Sequence, residues 1–241
     1  MCKAHREFIE QGALKDDGGK VPLRGIDLSD ANLHSAKLSN VDLTGANLFW
    51  ANIANAFFQN TLLNDARLMG ARLDRARLYG CEIKDAQLAQ ARLENAELSG
   101  SNLENSDLSF AFMKNAQLSQ VTLEGAELQD TNLEDAFLAS VVLRDADLNG
   151  ANLSKANLTS AEAEGAKFIR ANLKGAILKD ANLERANFSR ADLSHANLDG
   201  AIVVNADLVD ANLTWTSLAG TQIWKAILFP VGLSSTQHSF R

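Results

Sequence analysis

The sequence predicts an all-β solenoid, a four-sided coil of about 10 turns built from five-residue units, with a short N-terminal α-helix as a cap. Three observations predict it. An apolar residue recurs at every fifth position from Leu23 to Leu228 without a break. All eleven glycines between Val21 and Pro230 fall in one slot, two residues after such a centre. The residue two before each centre is small, and its departures from alanine recur every 20 residues.

The apolar series comprises 42 units, with leucine at the centre of 33. Period five fits neither common element. On an α-helix each step of five turns about 500°, which spreads the leucines over every side. On an uninterrupted strand an odd spacing alternates faces. Within one unit, however, the small residue and the centre are two apart, so both point the same way. A straight edge followed by a corner satisfies the pattern. The glycine slot marks the corner, and Asn or Asp fills that slot in fifteen further units, as at Asn40, Asp65 and Asp145. These three residue types tolerate positive φ, so the slot is expected to hold the left-handed turn residue.

The number of sides follows from the small-residue slot. At positions 21, 41, 61 and so on to 221, eight of eleven residues are not alanine, against four of the other 31. Val41, Thr61, Cys81, Ser101, Val121 and Val141 carry this rhythm. Four units therefore close one coil, which places Phe168 and Phe188 one above the other. With ~4.8 Å between coils the rod is about 50 Å long.

Units such as Ala151-Asn152-Leu153-Ser154-Lys155 and Ala181-Asn182-Leu183-Glu184-Arg185 resemble the pentapeptide-repeat family, whose motif is roughly A-(D/N)-L-x-x. The resemblance implies a right-handed quadrilateral β-helix over residues 21–230, most like the loop-free bacterial and cyanobacterial members. It implies little about activity, because the family is functionally diverse.

The ends differ from the repeat. Residues 1–20 read as a capping helix and link, the helix over 3–11 turning Ala4, Phe8 and Ile9 to the first coil, and 231–241 as a C-terminal tail. Near the C-terminus, the outward positions hold Ile202, Val204, Val209, Trp215, Trp224, Ile227 and Phe229. Apolar residues outside a solenoid end need cover. Either the tail folds back over them or they form a homodimer interface with the tryptophans as anchors. Dimerisation through this end is what the family resemblance implies.

No constellation for chemistry emerges. His5, His34, His195 and His238 share no site, and the two cysteines, Cys2 and Cys81, have no metal-binding or disulfide-framework spacing. No catalytic, cofactor-binding or metal residue is assigned, and the chain is read as a non-enzyme. Without a signal-like or membrane-spanning stretch, a cytoplasmic location is expected. Phe49, Trp50, Phe57 and Phe58 are read as local structural features ahead of the alternative, a second binding patch, with Phe57 one coil below Arg77 for a cation–π contact.

Charge speaks to partners. A net charge of −7 argues against direct binding of nucleic acid. Residues 66–92 carry six cations against three acids. Residues 93–135 then carry Glu94, Glu97, Glu104, Asp107, Glu124, Glu127, Asp130, Glu134 and Asp135 against Lys114 alone. This acidic belt is the expected surface for another protein, on a rigid scaffold. The alternative implied by the resemblance is a DNA mimic that modulates or protects DNA gyrase. Duplex DNA has one charge per ~1.7 Å, so a uniform mimic of this length needs about 30 negative charges, and the bands do not supply them.

Overall fold

The structure, a computed structural model, describes residues 21–227. The proposed capping helix, Phe229 and the tail lie outside the described residues. Strand β1 (Val21–Pro22) pairs in parallel with β2 (Val41–Asp42), with Val21 opposite Val41. From Asp27↔Asn47 to Asp207↔Ile227 the ladder continues as single parallel bridges between residues 20 apart. Longer strands do not form because each edge ends in a turn after three residues. Four edges of five residues close each coil, as the 20-residue rhythm requires.

The interior is a column of centres and small residues. Every centre from Leu28 to Leu208 is at most 3% exposed. The rings of Phe168 and Phe188 stack at 4.8 Å with planes 3° apart, the direct coil-on-coil contact expected from four sides. Buried hydroxyls in the small-residue slot are satisfied from the coil before. Thr131 Oγ1 donates to the Leu108 carbonyl at 2.8 Å and Ser106 Oγ to that of Ile83 at 2.6 Å.

The corners are left-handed throughout. Every fifth residue from Gly25 to Lys225 has positive φ, between 54° and 71°. This includes Trp50, Phe110, Arg185 and Trp215, side chains that pay about 1–2 kcal/mol for the conformation. The ladder holds them there. In the unit 192–196, Asp192 N–H donates to the Ala171 carbonyl, Leu193 N–H to Asn212, His195 N–H to Thr214 and Ala196 N–H to Leu193, all at 2.9–3.0 Å.

One N–H per unit, that of the residue after the centre, has no place in this scheme. In this unit it is Ser194, which donates to Asp192 Oδ1 at 2.9 Å. Asn or Asp before the centre thus closes the backbone account, an Asx turn repeated along the rod. Where the slot holds another residue, the coil before can substitute, as when Lys84 N–H donates to Asn64 Oδ1 at 2.9 Å.

Truncating Phe188 to Ala opens a cavity above the Phe168 ring and is expected to destabilise the rod by about 3–5 kcal/mol. Urea unfolding followed by circular dichroism measures it, and Phe188→Leu should lose distinctly less.

Candidate functional site

Each coil presents four outward faces, which follow one another in chain order. The first carries Asp42, Leu62 and Glu82, and the second Asn47, Arg67 and Gln87. The third carries Asn52, Arg72 and Arg92, and the fourth Phe57, Arg77 and Glu97. Each ends in a corner residue of positive φ. On this frame the acidic belt is a ring and not a patch. Asp107 and Glu127 lie on the second face and Glu97 on the fourth. Glu104 and Glu124 follow the first face, Glu94 and Glu134 follow the third, and Asp130 and Asp135 occupy corners.

Five of the nine belt carboxylates are ion-paired. Glu97 meets Arg77 at 3.6 Å, Glu104 meets Lys84 at 2.7 Å, Glu134 meets Lys114 at 2.9 Å and Glu124 meets Arg144 at 3.3 Å. All four pairs join residues 20 apart, one coil above the other. Glu94 lies 3.8 Å from Arg92 within its own coil. The bands of the sequence are therefore adjacent coils whose charges mesh along the axis. No cation among the described residues pairs with Asp107, Glu127, Asp130 or Asp135. Asp107 and Glu127 are ladder neighbours and Asp130 sits at the following corner, so these three form the contiguous acidic surface.

The meshing also sets protonation. A hydrogen bond from Lys114 holds the Glu134 carboxyl below the ordinary glutamate range, and a hydrogen bond to Glu104 raises the Lys84 ammonium. Asp199, on the side that follows the fourth face, is lowered by hydrogen bonds from Ser217 Oγ at 2.5 Å and the Ala219 N–H at 2.9 Å.

The C-terminal coil is apolar on several sides. Trp215 is 81% exposed at a corner and Trp224 72% exposed after the first face. Ile227 is exposed on the second face, whereas Ile202, Val204 and Val209 are half-buried. The interior centres Leu213 and Leu218 are only partly covered and Ile223 is 39% exposed. The tryptophans therefore lie in the same coil as these less covered centres.

Elsewhere, Arg77 lies over the Phe57 ring at 4.9 Å, the contact expected from the spacing. Phe49 and Trp50 meet edge to face at 5.9 Å. Trp50 shares its corner column with Gly70, Gln90 and Phe110, a grouping that the sequence reading missed, although the 20-residue period contains it. Among the described residues, no group of three or more His, Cys, Asp or Glu could hold a metal ion. No helix among them is long and apolar enough to cross a membrane.

The model of the family described as pentapeptide repeats matches in eight copies, the matched segments running from residue 23 to residue 203. The chain belongs to the pentapeptide-repeat family. Its four-sided coil is that family's right-handed quadrilateral β-helix. Among solved structures, it is similar to HetL, a pentapeptide-repeat protein involved in heterocyst differentiation regulation in the cyanobacterium Nostoc sp. strain PCC 7120. Identity is 30% over 91% of this chain and 94% of that one, with a TM-score of 0.45. QnrB1, a plasmid-mediated fluoroquinolone resistance protein, is 19% identical over 67% of this chain and 91% of its own, with a TM-score of 0.46. A pentapeptide-repeat protein of the Arabidopsis thaliana thylakoid lumen is 33% identical over 42% of this chain and 67% of its own, with a TM-score of 0.28. A search of the curated proteins finds none that matches.

For Glu134 the lowered pKa means that the Lys114 pair contributes above the ordinary glutamate pKa and is lost as pH falls through the lowered value. Carboxyl ¹³C NMR should place the Glu134 midpoint below that of a free glutamate, and Lys114→Met should return it to the ordinary range.

Proposed function

We propose that this pentapeptide-repeat protein is a non-enzymatic, cytoplasmic interaction scaffold that binds another protein on its rigid faces and pairs with a second copy through its C-terminal coil. The observation that carries the reading is the exposure of Trp215 and Trp224 beside the partly covered centres Leu213, Leu218 and Ile223. Large aromatics at that exposure are the residue types that anchor protein interfaces. The unpaired acidic surface of Asp107, Glu127 and Asp130 adds a face for a basic partner.

Gyrase-directed DNA mimicry fits less well. A mimic presents unpaired negative charge at regular short intervals, and the cross-coil pairs of Glu97, Glu104, Glu124 and Glu134 take carboxylates out of such a series.

Trp224→Glu is expected to halve the mass seen by sedimentation equilibrium at micromolar concentration. A wild type that is already monomeric, or a variant that stays dimeric, removes the C-terminal interface from this reading. In a gyrase supercoiling assay the protein at micromolar concentration should neither inhibit nor protect; either effect would favour mimicry.

A further inference from the structure

The corner between the second and third faces carries a cleft of about 630 Å³ that no part of the scaffold reading uses. Its shape follows from one column of corner residues. Trp50 and Phe110, 55% and 53% exposed, stand at the two ends, with Gly70 and Gln90 between them. Gly70 lowers the ridge to bare backbone, and the Trp50 indole lies down into the gap. A Cβ at Gly70 would come within 2.9 Å of that ring. Phe112, also exposed, completes the apolar lining from the third face.

Arg72 and Arg92 form the other wall, stacked as ladder partners. Each Nε stands 3.6 Å from a carboxylate oxygen of Asp74, which orients both guanidiniums without reaching hydrogen-bond distance. Both side chains stay about half exposed, at 55% and 49%. The same pair lines a second, polar cleft of about 370 Å³ on the third face, together with His34, Asn55 and Arg75. Two oriented guanidiniums thus stand between an aromatic slot and a polar trough.

We propose that this corner is a docking site for a partner protein's extended acidic segment, whose central aromatic or large apolar side chain enters the slot between the Trp50 indole and Phe110. Its flanking carboxylates meet Arg72 and Arg92. The inference rests on the scaffold reading and specifies a site and a partner chemistry for it. Three properties select this occupant. Two adjacent arginine guanidiniums match carboxylates. Trp and Arg side by side in a partly desolvated cleft are the composition of an interface hot spot. From Trp50 to Phe110 the column spans three coil steps, about 15 Å, which suits four or five extended residues. A nucleic-acid strand also stacks on aromatics beside cations, but a column of about 15 Å is shorter than the four or more nucleotides such surfaces track.

The test is fluorescence anisotropy with a labelled peptide Asp-Asp-Phe-Asp-Asp. Controls are Asp-Asp-Ala-Asp-Asp, Lys-Lys-Phe-Lys-Lys and single-stranded oligothymidylate. The acidic aromatic peptide should bind, and the alanine and lysine peptides should bind on the order of tenfold more weakly. Trp50→Ala and the double variant Arg72→Gln/Arg92→Gln should each lower its affinity by a similar factor, with unchanged circular dichroism and melting. Salt should weaken the wild type more than the double variant. No binding up to millimolar peptide, equal binding of the three peptides, or insensitivity to both variants overturns the site. Preferred binding of oligothymidylate overturns it in favour of a nucleic-acid strand. If the site fails while Trp224→Glu still dissociates the dimer, the scaffold reading stands without it; if both fail, that reading goes too.

Discussion

The left-handed corner is the constraint on which this rod depends. A positive φ at every fifth residue folds the chain back on a square, so that residues 20 apart face one another and can bridge. The conformation is unfavourable at the fifteen described corners that hold neither Gly, Asn nor Asp, and the coil-to-coil hydrogen bonds compensate. The corner N–H is itself part of that ladder, as with His195 donating to Thr214 at 2.9 Å. Corner and ladder support each other, and neither persists without stacked neighbours.

This mutual dependence explains what could be read from the residues beforehand. Core periodicity is legible because every centre meets the same environment, and burial leaves little choice beyond Leu, Ile, Met, Phe or Val. The 20-residue rhythm at Val41, Thr61, Cys81 and Ser101 named the number of sides, and the stacked phenylalanines agree with it. The corners were visible only through the residues that suit them. Nothing local announces that Trp50, Phe110 or Arg185 adopts the same left-handed conformation; there the ladder overrides preference. The role of Asn and Asp before the centre was likewise hidden, because it answers a backbone donor that only the completed coil leaves over.

Surface features were harder to read, for a reason of geometry. Sequence neighbours in a band lie on different faces, whereas residues 20 apart touch. Counting charge along the chain made a belt of nine acids; wrapping it around the rod leaves Asp107, Glu127 and Asp130 as the contiguous unpaired group. The same wrapping gathers Trp50, Gly70 and Phe110, which lie far apart in the chain, and separates Trp215 from Trp224, which lie close together in it.

The arithmetic of four edges per coil bears on how such a chain can change length. Removing one five-residue unit keeps the alternation of small residue and centre that fills the interior. Everything beyond the deletion, however, turns by a quarter revolution relative to what lies before. Columns such as Lys84 beneath Glu104, or Arg77 beneath Glu97, would be shuffled into new neighbours across that seam. Only a change of 20 residues preserves every column. Surface design in this rod is thus quantised in whole coils.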